Sequence, residues 1–330
     1  MRILFVLFVG AAAAAEPTGF SDEEKRAILA HGPWPVPATT DATNAASGQR
    51  AAIELGQRVF FDTRLSGDGR FSCGTCHVPE RNWTDNRTRG FAAAEVERNT
   101  PTLMNVRLSR HFGWAGASDT LWEQSIRPML DARELGSSAR HIAAVVRGDD
   151  QLACRYRKTF GAAPSADDEV VLRNVAKALA AFQETFETPP TPFDRFRNAL
   201  ARGEPSTYPD AARRGLKTFL ANCASCHSGP NFSDGGFHDN GFSKVGRPDP
   251  GRGGKFKVPT LRHLMLTAPY GHHGELETLP EVVRHYSEVG STEVRPLKLS
   301  AAQQTDLVVF LESVSTLSNP WRPEDHARCE

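Results

Sequence analysis

The chain has 330 residues, in which 39 lysines and arginines are offset by 39 aspartates and glutamates. That length provides for about two ordinary domains of roughly 150 residues each, and the balanced charge, with no long run of one sign, excludes the electrostatic footprint of a nucleic-acid binder. Beyond the N-terminus no stretch approaches the roughly 18 uninterrupted apolar residues of a membrane span, so none is expected.

Residues 1–15 of "MRILFVLFVGAAAAAEP" combine one arginine, an apolar run and an Ala13-x-Ala15 ending. This is the pattern of a secretory signal peptide, cleaved near Ala15, and it implies an exported mature protein. "SDEEKRAILAHG" opens with a Ser21-x-x-Glu24 capping box and predicts a helix. "DDEVVLRNVAKALAAFQETF" carries apolar residues at 170, 171, 175, 179, 182 and 186, a helical period. Pro189, Pro190 and Pro192 stop that helix and mark a connection, which divides the mature chain into domains at 16–195 and 196–330. "SAAQQTDLVVFLESVSTL" predicts a closing helix, and loops such as "VGRPDPGRGGKFKVP" separate the helical segments. Strand alternation is scarce, so the predicted class is all-α with long irregular loops.

The chain also repeats itself. "LGQRVFFDTRLSGDGRFSCGTCHVPERNWTD" (55–85) has a counterpart in "RGLKTFLANCASCHSGPNFSD" (214–234): Gly-x-x-x-Phe, then Cys-x-x-Cys-His, then Asn-aromatic-hydroxyl-Asp. Two copies of one module is the simplest reading. Four of the six cysteines fall in these units, leaving Cys154 and Cys329 either as a disulfide or as free thiols. Cys73, Cys76 and His77, with Cys223, Cys226 and His227, have the spacing that attaches haem c: two thiols one turn apart for the vinyl groups and an adjacent imidazole for iron. One such unit could instead be a zinc half-site or a redox dithiol. Two of them, both ending in His on an exported chain, point to two covalent haems and to the periplasm as the compartment.

"FFDTRLSGDGRFSCGTCH", "RNTPTLMN", "FGWAGASDTLWEQSIRPMLDARELG", "CASCHSGPNFSD" and "FKVPTLRHLMLTAPYGHHGELETLPEVVRHY" together resemble the bacterial di-haem cytochrome c peroxidase and MauG superfamily, over roughly residues 50 to 315. "GWAGASDTLWEQ" and the ending of "VVRHY" are most similar to its MauG and MbnH branch. The resemblance implies two cytochrome c-like haem domains in the di-haem peroxidase architecture. In ordinary peroxidases of the family a histidine in the loop after the first haem motif caps the first iron. Here "VPERNWTDNRTRGFAAAEVERNTPT" has none, and no lysine; the next histidine is His111 and the nearest methionine Met104. The resemblance therefore implies an open peroxide site on the His77 haem, with capping by a lysine, methionine or remote histidine as the alternative.

On the second haem, Tyr286 stands where the peroxidases place methionine. A phenolate ligand favours ferric and higher-valent iron, whereas a thioether favours ferrous iron. Tyr286 as a plain core aromatic, with His285 or Met265 as the ligand, is the other reading. The resemblance further matches Glu134 to the catalytic glutamate that moves a proton during peroxide cleavage, and Gln124 and Pro128 to its pocket. Trp114 matches the tryptophan between the haems. Asn99, Thr267 and Pro269 match the ligands of a calcium ion. Taken alone, Glu134 would be a solvated residue and Trp114 a buried aromatic.

Two departures stand out. The MauG branch has a surface tryptophan two residues before the second haem motif, where this chain has Ala221, and "PYGHHG" has His273 in place of the usual aspartate. Trp122 and Trp321 are other positions for a relay, with core packing as the alternative role. The implied function is a periplasmic enzyme that uses hydrogen peroxide to build a high-valent two-haem oxidant and oxidise a residue, tryptophan foremost, of a partner protein. The alternatives are a peroxidase drawing electrons from a small cytochrome c or copper protein, and a non-catalytic di-haem electron carrier.

Overall fold

The computed structural model describes residues 19–242, 251–317, 321–324 and 327–330, so the signal peptide expected at 1–15 lies outside the described residues. Helices dominate: α1 (Asp22–Ala30), α2 (Arg50–Phe60), the single turn α3 (Cys73–Cys76), α4 (Leu121–Leu130), α5 (Ala139–Gly148), α6 (Asp150–Phe160), α7 (Asp168–Gln183), α8 (Pro192–Arg202), α9 (Asp210–Asn222), α10 (Leu279–Glu288) and α11 (Ala301–Ser313). Among the described residues the strands are one two-residue antiparallel pair, Phe237–His238 with Phe256–Lys257. No described helix is long and apolar enough to cross a membrane.

The helices gather around two cores. In the first, α7 is the central element, packed by α2, α4 and α5, with Leu55, Phe60, Trp83, Val175, Leu179, Phe182 and Phe186 buried between them. In the second, α9 packs on α11, and Phe193, Phe196, Phe219, Phe232 and Phe310 fill the interior. The repeated Gly-x-x-x-Phe has the same purpose in both. A Cβ on Gly56 would collide with the Ala178 carbonyl of α7, and one on Gly215 with the Asp306 carbonyl of α11. Each lead-in helix therefore needs glycine to approach its partner, and each presents a phenylalanine, Phe60 or Phe219, to the core four residues later.

The Ser21 capping box closes as expected, Ser21 Oγ accepting from the Glu24 amide at 3.2 Å and Glu24 from the Ser21 amide at 2.7 Å. The helix it starts, α1, packs on α8 and α9, and its Ile28 is buried in the second core. The division expected between 195 and 196 falls inside α8, whose Phe193 and Phe196 belong to that same core. Asp194 caps α8 and forms a fully buried ion pair with Arg262 at 2.8 and 2.9 Å, over which the Trp34 ring lies at 3.7 Å. Cys154 and Cys329 are joined in a disulfide, which draws the C-terminal tail back onto α6.

Candidate functional site

Both Cys-x-x-Cys-His units are built alike. His77 N donates to Cys73 O and His227 N to Cys223 O, each at 2.9 Å, so both cysteines and the histidine lie on one helical turn. The chain then reverses through residues in the left-handed region, Asn82 and Trp83 in the first copy and Phe232 in the second. The reversal aims a carbonyl back at each imidazole: His77 Nδ1 donates to Trp83 O at 2.9 Å and His227 Nδ1 to Phe232 O at 3.0 Å. A carbonyl can only accept, so Nδ1 carries the proton and Nε2 keeps its lone pair for a metal. Burial lowers both imidazole pKa values and holds the rings neutral, as a ligand requires.

Burial also pushes the Cys73 thiol up to about 12, Cys76 to about 11 and Cys223 to about 12. A redox dithiol needs an accessible thiolate of lowered pKa, which these buried thiols do not provide. The four sulfurs face one continuous cavity of about 860 Å³, also lined by His77 and His227. Lys257 lines it too; desolvation, with no acidic partner among the described residues, pushes its ammonium down to about 8. An unpaired cation in an apolar slot of this size, beside paired thiols and a metal-ready imidazole in each half, fits two haems and their propionate carboxylates.

Every pocket residue expected from the sequence lies on this cavity: Trp114, Gln124, Pro128, Glu134, Tyr286, Asn99, Thr267 and Pro269. Pro128 sits inside α4, where its missing N–H leaves the Gln124 carbonyl without a helical donor. The Gln124 Oε1 is itself buried without a hydrogen-bond partner among the described residues. After α4 the chain turns at Asp131–Gly136 and packs against Gly67, whose Cβ would collide with the Gly136 carbonyl. That turn places Glu134 near Cys73 and Cys76, which feel its charge. Burial raises the Glu134 pKa and Asp131 adds to the rise, while Arg133 and Arg127 oppose it. The other acids there are already paired, Asp131 with Arg133 at 2.9 Å and Glu97 with Arg133 at 3.2 Å.

Trp114 bridges the two halves. Its Nε1 donates to Asn99 O at 2.8 Å, and its carbonyl accepts from the Lys257 amide at 2.9 Å. Asn99 in turn donates from Nδ2 to Arg87 O at 2.8 Å and from its backbone amide to His272 O at 2.9 Å. The Thr267 hydroxyl donates to Leu264 O at 3.0 Å.

On α10, adjacent residues face different ways. Tyr286 lines the cavity and feels the charges of Cys223 and Cys226; burial raises its phenol pKa, and a hydrogen bond from the Asn240 side chain opposes the rise. His285 instead puts Nε2 on Asn240 O at 3.0 Å and stacks on Phe242 at 4.4 Å, and neither it nor the partly exposed Met265 lines the cavity. Besides His77 and His227, the lining histidines are His238, held by Asp234 and Glu293 at 2.7 and 2.8 Å, and His272, stacked on Phe256 at 3.8 Å. His111 is not among them, and Met104, which is, belongs to the first core.

Sequence reasoning missed Lys257, whose only signal was a basic residue between two apolar ones. It also missed the buried cluster in which His272 Nδ1 and His273 Nδ1 each lie 3.6 Å from Glu275 Oε1.

The di-haem cytochrome c peroxidase family model matches residues 50–202, and the cytochrome c model matches 212–315. The chain is 36% identical over 283 residues to the methylamine utilization protein MauG of Methylorubrum extorquens, covering 79% of this chain and 77% of that protein. It is 34% identical to the cytochrome c551 peroxidase of Nitrosomonas europaea, covering 79% of each. Among solved structures, a MauG-like protein associated with microbial copper homeostasis superposes with a TM-score of 0.75 at 27% identity, over 88% of this chain and 98% of that one.

Proposed function

Because this chain belongs to the di-haem cytochrome c peroxidase family, whose members are oxidoreductases acting on peroxide through two haem c groups, we propose that it oxidises a residue of a partner protein, tryptophan foremost, in the periplasm. The observation that carries this reading is Tyr286: of the candidates for the second iron, it is the residue that lines the cavity, with His285 and Met265 off it. A phenolate ligand favours the higher oxidation states of iron and so suits a stored oxidant better than a donor haem.

When bound, the two haems would supply iron chemistry toward peroxide and store its oxidising equivalents. His77 and His227 would hold those irons through Nε2, kept basic by Nδ1–H bonds to Trp83 and Phe232. The loop after the first haem motif offers no histidine or lysine to occupy the His77 site, and Glu134 would be the group that takes a proton from peroxide and returns it, which its raised pKa suits. Gln124 would orient peroxide within the cavity and Pro128 would give it an apolar wall. Trp114 would couple the two haems, and Asn99, Thr267 and Pro269 would hold a calcium ion.

The test uses purified, as-isolated diferric protein with peroxide and reduced cytochrome c. Negligible turnover, together with fast reaction of the haems with peroxide and an oxidised tryptophan in a neighbouring exported protein, is expected. Rapid turnover without prior reduction would make the chain a constitutive peroxidase instead, and a ferric spectrum with no high-spin haem would make it a carrier.

A further inference from the structure

The carbonyl that holds His77 belongs to Trp83, a fully buried indole in the middle of an aromatic cluster. Its ring stacks on Phe186 at 3.7 Å and meets Phe60 edge-on at 5.6 Å. Trp321, from the C-terminal tail, meets it edge-on at 4.9 Å. Trp321 is half-buried, is followed by exposed Arg322, Pro323 and Glu324, and also touches Phe61, which is 37% exposed. The tail is fastened over this spot by the Cys154–Cys329 disulfide, by Gln57 donating to Glu324 O at 2.9 Å and by Arg155 donating to Ala327 O. A path thus runs from the His77 imidazole through a hydrogen bond to Trp83, and from the Trp83 ring across an edge-on contact to a second indole at the surface.

We propose that Trp83 and Trp321 form an electron relay connecting the His77 haem to the outside, with Trp321 as its surface terminus; this rests on the reading of the His77 haem as the peroxide site. The Trp83 N–H is buried with no hydrogen-bond partner among the described residues. An oxidised Trp83 has no acceptor for its proton, so the positive charge stays mobile and is refilled from Trp321. Trp321 borders water, and on losing an electron it can release its indole proton there. Reduction of one hydrogen peroxide with two protons to two waters consumes two electrons, and the relay delivers them singly. The partner residue that is oxidised then gives up the two electrons to Trp321, one at a time, while water returns the proton. The relay provides an exit on the first domain, in a chain whose position 221 is an alanine.

The experiment mixes holoprotein with peroxide in the absence of any donor. It follows peroxide consumption, freeze-quench EPR and peptide mass spectrometry. Expected are a tryptophan-centred radical and oxygen addition at Trp321, with loss of the Trp321 product in Trp83→Phe. Since Trp83 is a core residue, Trp321→Phe at the surface provides the second variant and should remove the radical signal. Trp122 is also half-buried but hydrogen-bonded to Thr43 away from this cluster; Trp122→Phe should leave the Trp321 product in place. Equal oxidation of Trp122 and Trp321, or Trp321 oxidation persisting in Trp83→Phe, overturns the relay. Peroxide consumption with no radical and no modified Trp321 also overturns it while the peroxide site stands; no peroxide consumption at all removes the peroxide site and the relay together.

Discussion

Glu134→Gln separates a catalytic carboxylate from a surface one, because its effects on rate and on stability have opposite signs. Glutamine keeps the shape and removes the titrating proton, so peroxide cleavage should slow by about 10² to 10⁴-fold, equivalent to roughly 3 to 5 kcal/mol of barrier. Neither neighbouring acid can take over, since Asp131 and Glu97 are both held by Arg133. Burial raises the Glu134 pKa, so the folded state binds more protons than the unfolded one above the ordinary carboxyl range. Stability contributed by this group therefore falls as pH rises through that window. Glutamine removes that cost, and the variant should melt no lower than the parent near neutral pH. In the parent, the cleavage rate should fall as pH drops through the raised pKa, and the variant should lose that dependence. Stopped-flow mixing with peroxide across pH, paired with thermal melts, measures both. A rate loss below tenfold, or one accompanied by a lower melting temperature, would return Glu134 to a structural role.

Tyr286→Phe should remove the phenolate signature of the second haem from optical and EPR spectra while peroxide still reacts at the first; an unchanged spectrum would remove Tyr286 as a ligand. Lys257→Met takes a positive charge from the cavity wall and should lower the midpoint potential of the haem whose carboxylates it faces, since ferric iron is then better tolerated; redox titration of both haems checks this, and no shift at either refutes the pairing. Arg262→Met leaves Asp194 buried and unpaired and should cost about 3 to 5 kcal/mol in thermal or denaturant unfolding. A loss under about 1 kcal/mol, the scale of an exposed pair, would mean that water reaches the site.

The haem-attachment units were legible because their geometry is local. Cysteines three apart and a histidine one further share a helical turn wherever they occur, and the repeated Gly-x-x-x-Phe announces a helix that packs closely on another. Pocket residues such as Glu134 and Asn99 were reached through the family resemblance, not through their own spacing, because a lone carboxylate or amide carries no periodic signal. Tyr286 and His285 show the limit: adjacent on one helix, about 100° apart in direction, they are equally plausible ligands until packing puts one on the cavity and the other on Asn240.

By itself the sequence determined the helical class and the two haem c attachment motifs, which rest on periodicity or on residues a few positions apart, and it carried the family through several such short motifs in a set order. Only the tertiary structure decided what depends on long-range contact. It joined Cys154 to Cys329 across 175 residues, seated α1 in the second core despite its N-terminal position, and stripped Lys257 of solvent with no acidic partner among the described residues. It also set Trp321 against Trp83. The physical reason is common to all four: burial and contact between distant segments are properties of the packed chain, and no local pattern of residue types encodes which distant surface will cover them.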